Sequence, residues 1–333
     1  MKALVTGASG FVGSTLVEEL TASGIEVYAL MRKTSKPYNL KNLKFEKVEG
    51  QLSDLDSLRR AVKGMDYIFH VAGVIQARNR ERFFENNSEG TRRLAQAAAE
   101  ENPGLTRFVY VSSLAAGGPC SSSTPRVETQ ADAPVSAYGE SKLQGEKELL
   151  KYKDQLPISI VRPPIVYGPK DRAIFTMAKT VARNLMPLPP SGTPDGHKYY
   201  SSIHVKDLCR GIIQCALPSR SQLPSGEVFY LAADAVHTYE DLMTAMAKGL
   251  GRNPIRLRIP KFAIKAAAAG FSVMSKITGK TFPLNLDKLN ELLPDYWICS
   301  NEKAKSLIGF KPEFDLARGM SNTMEWYQRE GWI

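Results

Sequence analysis

Three glycines, spaced three residues apart, separate the first apolar run of this chain from its first helical pattern. They are Gly7, Gly10 and Gly13, between a predicted strand over residues 2–6 and a predicted helix over 12–23. A side chain at the first glycine would block a tight turn, at the second it would keep a diphosphate from the backbone, and at the third it would wedge the helix from the strand. This context predicts a turn that holds a dinucleotide at the helix N-terminus. A plain strand–turn–helix connection is the alternative.

Short apolar runs alternate with helical patterns up to Pro169, which predicts βαβ units and a parallel sheet. The predicted strands are 2–6, 26–31, 45–49, 67–71, 107–112 and 158–162. The predicted helices are 12–23, 53–62 with Ser53 as its cap, 87–101 and 138–152, with a loop of small residues after the fifth strand. Prolines and turn residues follow Pro169, then strand patterns at 199–205 and 227–232, and mostly helical patterns from Tyr239.

These patterns predict an α/β fold, with a Rossmann-type doubly wound parallel sheet and a smaller, mostly helical C-terminal substrate domain. We expect residues 1–168, joined by about 201–236, to form an NADP-binding domain. Residues from about 169 to 200 and 237–333 are expected to form the substrate-binding domain.

The composition is that of an ordinary globular protein, at 43% hydrophobic and 23% charged residues. Four cysteines and four histidines show no ligand spacing, so we predict a reducing compartment and no metal site. The chain opens on a predicted strand, and no apolar run reaches the length that spans a bilayer. A cytoplasmic protein is therefore expected.

Much of the net charge of +10 comes from residues 252–281, which contain no acid. The basic residues there are Arg252, Arg256, Arg258, Lys261, Lys265, Lys276 and Lys280. Within this segment, residues 261–277 suit an amphipathic helix, which predicts either peripheral contact with a membrane or packing within the substrate domain. No nucleic-acid partner is expected, because basic and aromatic residues do not interleave.

The end of the second predicted strand bears on the choice of dinucleotide. NAD-binding sites usually place a carboxylate there, about 20 residues after the glycines, to hold the ribose 2′-hydroxyl. Here Met31 is followed by Arg32 and Lys33, two cations that can pair with a 2′-phosphate. The pattern favours NADP(H) over NAD(H), with solvated surface charges as the alternative.

Tyr138 precedes Lys142 by one helical turn, so the two side chains share a helix face. A neighbouring ammonium and a positive nicotinamide are expected to lower the pKa of the phenol from about 10 to about 7, where it can exchange a proton. Ser113 ends the fifth strand, at the sheet edge where open α/β folds bind ligands, and is placed to hold a substrate oxygen. A packed surface helix and a helix-capping serine are the alternatives.

Several motifs, taken in order, resemble the extended short-chain dehydrogenase/reductase family, also called NAD-dependent epimerases and dehydratases. They are the glycine turn, 70–73, 87–91, Ser112-Ser113, Tyr138 with Lys142, 162–169 and 203–208. The likeness is nearest to members similar to dihydroflavonol reductases and 3β-hydroxysteroid dehydrogenases.

The resemblance implies that Ser113, Tyr138 and Lys142 form a catalytic triad. It implies a cofactor site lined by Gly7, Ser9, Gly10, Phe11, Val12, Gly13, Arg32, Lys33, Gln51, Leu52, Ala72, Gly73, Tyr138, Lys142, Pro163, Ile165 and Val166. It also implies substrate contacts from Leu114, Ala115, Pro164 and Tyr167. Relatives that dimerise do so through helices equivalent to 87–101 and 138–152, so a homodimer is expected.

Departures from the family pattern narrow the expected reaction. Leu114 and Ala115 stand where dehydratases carry an acid pair, which disfavours elimination of water. Ile165 stands where many sugar-nucleotide enzymes have asparagine, and Gln51 replaces the acid beside adenine. We expect an NADP(H)-dependent oxidoreductase for a bulky, apolar carbonyl or alcohol such as an oxo-lipid, a steroid or a 3-oxo-ceramide-like ketone. A nucleotide-sugar epimerase with tightly bound NAD and a non-catalytic NADP sensor are the alternatives.

Overall fold

A parallel sheet of seven strands forms the centre of the fold. The computed structural model describes residues 1–217, 223–278, 284 and 286–333, except for the side chains of 275–277. Its strands, in chain order, are β1 (Lys2–Thr6), β2 (Glu26–Met31), β3 (Glu46–Glu49), β4 (Tyr67–His70), β5 (Arg107–Val111), β6 (Ile158–Arg162), β7 (Ile165–Tyr167), β8 (Leu185–Leu188), β9 (Tyr199–His204), β10 (Glu227–Tyr230), β11 (Val236–Thr238), β12 (Ile255–Arg258) and β13 (Tyr296–Trp297). The central sheet has the order β10-β6-β5-β4-β1-β2-β3, which reverses between β1 and β4.

Helices cover both faces of this sheet. In chain order they are α1 (Phe11–Ala22), α2 (Leu55–Val62), α3 (Arg80–Phe84), α4 (Gly90–Glu101), α5 (Leu114–Gly117), α6 (Ala137–Leu150), α7 (Arg172–Ala182), α8 (Val205–Gln214), α9 (Tyr239–Gly249), α10 (Lys261–Thr278), α11 (Leu286–Leu292), α12 (Glu302–Ile308) and α13 (Leu316–Arg329). Buried residues of α1, α8 and α12 pack on one face of the sheet, and those of α2, α4 and α6 pack on the other. The predicted doubly wound α/β fold is therefore confirmed.

A second group of elements packs beside the carboxyl edge of the sheet. Strand β9 pairs with β7, β11 and β13, and β8 pairs with β12. Helices α7, α9 and α13 share a core with these strands. The chain ends against this core, where the ring of Trp332 stacks on Tyr327 with centroids 5.5 Å apart. The division into two domains at the predicted boundaries stays a prediction.

Helix α10 packs mainly on α11, through a small cluster separate from the larger cores. Its buried members are Ile264, Ala268 and Leu289. Lys280 and the side chain of Lys276, both in the predicted basic segment, lie outside the described residues. No helix in the described ranges is both long and apolar enough to cross a bilayer.

Some predicted elements differ from the structure. The first residues of the helix predicted over 87–101 belong to a π-helical turn, Glu85–Glu89, which follows α3. Helix α4 itself begins at Gly90. The predicted cap Ser53 is wrong, because the Asp54 side chain accepts hydrogen bonds from the N–H groups of Asp56 and Ser57. The predicted loop after the fifth strand contains α5, and β12 and β13 interrupt the helical C-terminal part.

Candidate active site

A cleft of about 670 Å³ opens at the carboxyl edge of the central sheet. Open α/β sheets bind ligands at this edge, where the strand order reverses. Most of the predicted cofactor residues and all three predicted catalytic residues line the cleft together. They are Gly7, Ser9, Gly10, Phe11, Val12, Gly13, Arg32, Gln51, Leu52, Ala72, Gly73, Ser113, Tyr138, Lys142, Pro163 and Val166, joined by Pro164 from the predicted substrate set.

The glycine turn packs so closely that side chains would not fit. Gly7 has a φ of +70°, and a Cβ there would lie 2.7 Å from the backbone N of Ala72. A Cβ on Gly13 would lie 2.1 Å from the carbonyl O of Gly7. Gly10 caps α1 with no side-chain hydrogen bond. Helix N-termini of this kind offer free N–H groups and a positive dipole to a phosphate.

The loop after β2 folds back over the glycine turn. The Asn39 side-chain amide donates to the carbonyl O of Ser9 at 3.0 Å, a contact that the sequence did not suggest. Arg32 follows β2 directly, is exposed and lines the cleft. Lys33 is also exposed but does not line it. Of the two predicted cations, the structure brings Arg32 to the cleft.

A chain of buried hydrogen bonds positions the end of β4 beside this turn. The Thr91 hydroxyl donates to the carbonyl O of Asn87 at 2.7 Å, so it accepts from the His70 Nε2–H, 2.9 Å away. The other ring nitrogen, Nδ1, then accepts from the Thr6 hydroxyl at 2.7 Å. The Thr6 oxygen accepts in turn from the Ala72 N–H at 3.2 Å. This chain holds Ala72 at the wall of the cleft.

Tyr138 lies in the first turn of α6, the helix that carries the predicted catalytic pair. Burial raises the pKa of its phenol to about 12, while a hydrogen bond with Ser113 lowers it. The Ser113 hydroxyl also accepts from the N–H of Ala115 at 3.1 Å as the cap of α5. The capping interpretation of this serine is therefore confirmed, and its catalytic role stays a prediction. The centroid of the Phe83 ring lies 6.1 Å from that of the Tyr138 ring.

Lys142 lies one turn after Tyr138 and is buried. Its Nζ donates to the carbonyl O of Val111 at 2.8 Å and lies 4.2 Å from the centre of the Tyr110 ring. Burial lowers the pKa of Lys142 to about 7, although the negative charge of Glu146 raises it. In this arrangement desolvation outweighs the other influences on the phenol, so the pKa of Tyr138 is raised and not lowered. The lowering expected beside a positive nicotinamide stays a prediction.

Two carboxylates of α11 bind the start of α6. The Asp287 Oδ1 accepts from the backbone N–H of Ala137 at 2.9 Å. The Glu291 Oε1 accepts from the hydroxyl of Ser136 at 2.5 Å. Ser136 is the cap of α6, so α11 contacts the first turn of the helix that carries Tyr138. Negative side chains at a helix N-terminus are stabilising.

Comparison with known proteins decides the family. Residues 3–232 match the model of the NAD dependent epimerase/dehydratase family. The chain belongs to this family. It is 31% identical over 330 residues to a ceramide reductase of Caulobacter vibrioides, covering 99% of this chain and 95% of the relative. It is 27% identical over 339 residues to a putative dihydroflavonol 4-reductase of Synechocystis, covering 99% and 95%.

Among solved structures, the UDP-glucose 4-epimerase of Thermotoga maritima has a TM-score of 0.79 at 22% identity, covering 99% of each chain. At this identity the likeness shows the fold alone. The family match and the curated relatives identify the chain as an NAD(P)-dependent enzyme of the extended short-chain dehydrogenase/reductase type. The predicted family and enzyme class are therefore confirmed.

The glycine cradle of this family member fits a dinucleotide. Its glycines carry no side chains, it faces the cleft, and it ends at a helix N-terminus whose cap has no side-chain partner.

Further cleft residues were not predicted: Thr6, Leu30, Ser35, Gly50, Ser53, Val71, Val74, Ile75, Glu85, Asn86, Val111, Ser112, Asp171, Ala173 and Leu208. The strand ends among them follow from the carboxyl-edge rule, whereas Glu85 and Asn86 lie in the π-helical turn, which has no simple sequence signal.

Four other predicted residues of this family member do not line the cleft. Leu114, Ala115 and Tyr167 are buried in the core shared by α7, α9 and α13. Ile165 packs against the same core from β7. Leu114 and Ala115 belong to α5, which turns them inward directly after Ser113. Of the predicted substrate set, the structure brings Pro164 to the cleft.

Within the residues that the structure describes, no group of three His, Cys, Asp or Glu side chains could hold a metal ion.

Proposed function

We propose that this oxidoreductase moves a hydride between NADP(H) and the carbonyl or alcohol of a bulky, apolar substrate. The observation that carries the proposal is the hydrogen bond between Ser113 and the half-buried Tyr138 phenol at the sheet edge. Bound nicotinamide would supply or accept the hydride. The protein's own task is then to hold the substrate oxygen and to move its proton.

The high pKa of Tyr138 suits the direction of carbonyl reduction. With a pKa of about 12, the phenol keeps its proton at neutral pH and can donate it to an oxygen that gains negative charge. The Ser113 hydroxyl is placed to donate to the same oxygen. Lys142, held by the carbonyl of Val111, would contact the cofactor ribose and hold the first turns of α6 in place.

Two observations support an apolar substrate. The apolar residues Val74 and Ile75 line the cleft, and Ile75 is 64% exposed there. The ceramide reductase relative is named for a lipid substrate and aligns with almost the whole chain. An oxo-lipid, a steroid or a 3-oxo-ceramide-like ketone fits both.

Replacement of the proton donor tests the mechanism. We expect Tyr138→Phe to lower kcat for NADPH-dependent ketone reduction by about 10²–10⁴-fold, because general acid catalysis contributes that much. The assay follows NADPH absorbance with long-chain oxo-lipids, oxosteroids and UDP-sugars as separate substrates. Tyr152→Phe, just after the same helix, is the matched control and should keep its activity.

A kcat of Tyr138→Phe within about tenfold of that of the parent would overturn the mechanism. Conversion of a UDP-sugar without net NADPH consumption would instead indicate an epimerase.

Arg32 supports the choice of NADP(H), because it lines the cleft after β2 where NAD-binding sites carry a carboxylate. We expect Arg32→Ser to raise the KM for NADPH by about 10- to 100-fold while changing the KM for NADH little, since a charge-assisted bond to the 2′-phosphate would be lost. Lys33→Ser is the matched control, because Lys33 does not line the cleft. Equal effects on the two cofactors in Arg32→Ser would refute NADP(H) selection by this residue.

A further inference from the structure

Helix α10 turns an apolar stripe to solvent. Its packed side carries Ile264 and Ala268, which contact α11. At 100° per residue, Phe262 and Val273 lie on the opposite side of the helix. Phe262 is 74% exposed and Val273 is 56% exposed. Ala266 and Ala269 lie between them on the same side and are also exposed. Large exposed apolar residues aligned in this way are typical of an interaction surface.

Cations lie beside this stripe. Lys261 and Lys265, one turn apart, lie between the stripe and the packed side, and both are exposed. Arg252 and Arg258 precede the helix and are exposed as well. From 252 to 278 the chain contains no acidic residue. We call Phe262, Ala266, Ala269 and Val273 with Lys261 and Lys265 the α10 surface.

The α10 surface is linked through α11 to the helix that carries Tyr138. Helix α10 packs on α11, and α11 binds the start of α6 through Asp287 and Glu291. A ligand held at α10 is therefore connected by one layer of packing to the helix that carries Tyr138. For the apolar substrate of the proposed function, on which this step rests, a membrane-binding surface on α10 would bring the enzyme to the bilayer that holds the substrate.

We propose that the α10 surface binds the interface of an anionic lipid bilayer. An apolar stripe flanked by lysines matches the acyl boundary and the negative headgroups of such a membrane. A second copy of this chain fits less well, because a twofold dimer would place the same basic patch against itself. A nucleic acid would pair with the cations but would leave the apolar stripe without a partner.

Sedimentation with vesicles tests the proposal on the full chain. The probes are vesicles of phosphatidylcholine alone and with about one third phosphatidylglycerol. We expect binding to the anionic vesicles and at least about tenfold weaker binding to the neutral ones. Neither ketone nor NADPH is added, so the outcome is independent of the proposed reaction.

Paired variants separate the apolar and the charged contributions. Phe262→Ser/Val273→Ser should weaken vesicle binding by about tenfold or more. Lys261→Glu/Lys265→Glu should weaken it by a similar factor or more, and binding of the parent should fall as salt is raised. The matched controls are Leu307→Ser, an exposed apolar residue on α12, and Lys147→Glu/Lys153→Glu, exposed lysines on α6 and just after it. Circular dichroism and thermal unfolding confirm that each variant folds.

Three results would overturn the proposal. The first is equal binding to neutral and anionic vesicles, and the second is binding that the α10 variants leave unchanged. The third is a concentration-dependent dimer in sedimentation velocity that Phe262→Ser/Val273→Ser abolishes, because the occupant of the surface would then be a second copy. If vesicle binding fails while Tyr138→Phe still abolishes turnover, the membrane proposal is overturned and the proposed function is unaffected.

Discussion

Burial controls the protonation of the side chains around the cleft. Tyr138, Lys142 and His70 are all desolvated, and in each case the charged form is disfavoured. The position of Tyr138 and Lys142 one turn apart on α6 could be predicted from their spacing, but the direction of the phenol's pKa shift could not. Spacing places two groups on one helix face, whereas depth below the surface depends on the packing of α3, α5 and α11 around them.

His70 offers a test of this control through stability. Burial lowers its pKa to about 3, so between about pH 3 and pH 6.5 the unfolded chain binds a proton that the folded chain does not. Its contribution to the free energy of unfolding is complete above pH 6.5 and is lost as the pH falls, by about 1.4 kcal/mol per pH unit. Urea unfolding between about pH 4 and pH 6 should show a shallower pH dependence in His70→Gln, which keeps polar atoms for Thr6 and Thr91. The half-buried His197, replaced in His197→Gln, is the control, and identical slopes in parent and His70→Gln would contradict the assignment.

The bounds of the strands show how far the sequence predicts individual elements. Strands β1, β2 and β6 have their predicted bounds, because strands buried on both faces appear as short apolar runs. The four residues of β12 are all exposed, so no alternating pattern marks it. The π-helical turn Glu85–Glu89 lies in a polar stretch where hydrophobic periodicity is weak. Burial on both faces is thus the condition under which strand bounds could be predicted.

The cap of α2 distinguishes two adjacent residues. Asp54→Ala should lower the free energy of unfolding by about 1 kcal/mol, because the Asp56 and Ser57 N–H groups lose an acceptor at 3.1 and 3.2 Å. Ser53→Ala should change it by less than about 0.5 kcal/mol, since Ser53 is not the cap. Chemical denaturation of both variants measures the difference. Equal losses would show that the first turn of α2 is held in another way.

A buried ion network joins distant parts of the whole molecule. The Glu146 carboxylate of α6 accepts from Arg162 Nε at 2.9 Å and Nη2 at 2.5 Å. Arg162, on β6, also bonds both oxygens of Asp132, at 2.6 and 2.9 Å. The Ser112 hydroxyl donates to Glu146, directly beside Ser113. These contacts join residues 16 to 34 apart in sequence, which is why no local pattern predicted them.

Loss of the charge on Glu146 should destabilise the fold. Glu146→Gln leaves part of a buried guanidinium unpaired, so we expect the free energy of unfolding to fall by about 3–5 kcal/mol. Glu148→Gln, two residues along the same helix, is the matched control, because its partner Lys151 is 64% exposed. Because the lysine of this pair is largely solvated, the pair should contribute about 1 kcal/mol or less. Thermal and urea unfolding of both variants provide the measurement, and similar losses would refute a special role for the network.

The small separate core of α10 and α11 has a consequence for engineering. Ile264, Ala268 and Leu289 pack largely with each other, and two carboxylates of α11 bind the start of α6. We therefore expect that helices α10 and α11 can be exchanged together without changes to the core of the central sheet. Grafting the corresponding segment of a relative, with Asp287 and Glu291 retained, should therefore leave the central sheet folded. Chimeras of this kind would measure how much these two helices contribute to the stability of the whole chain.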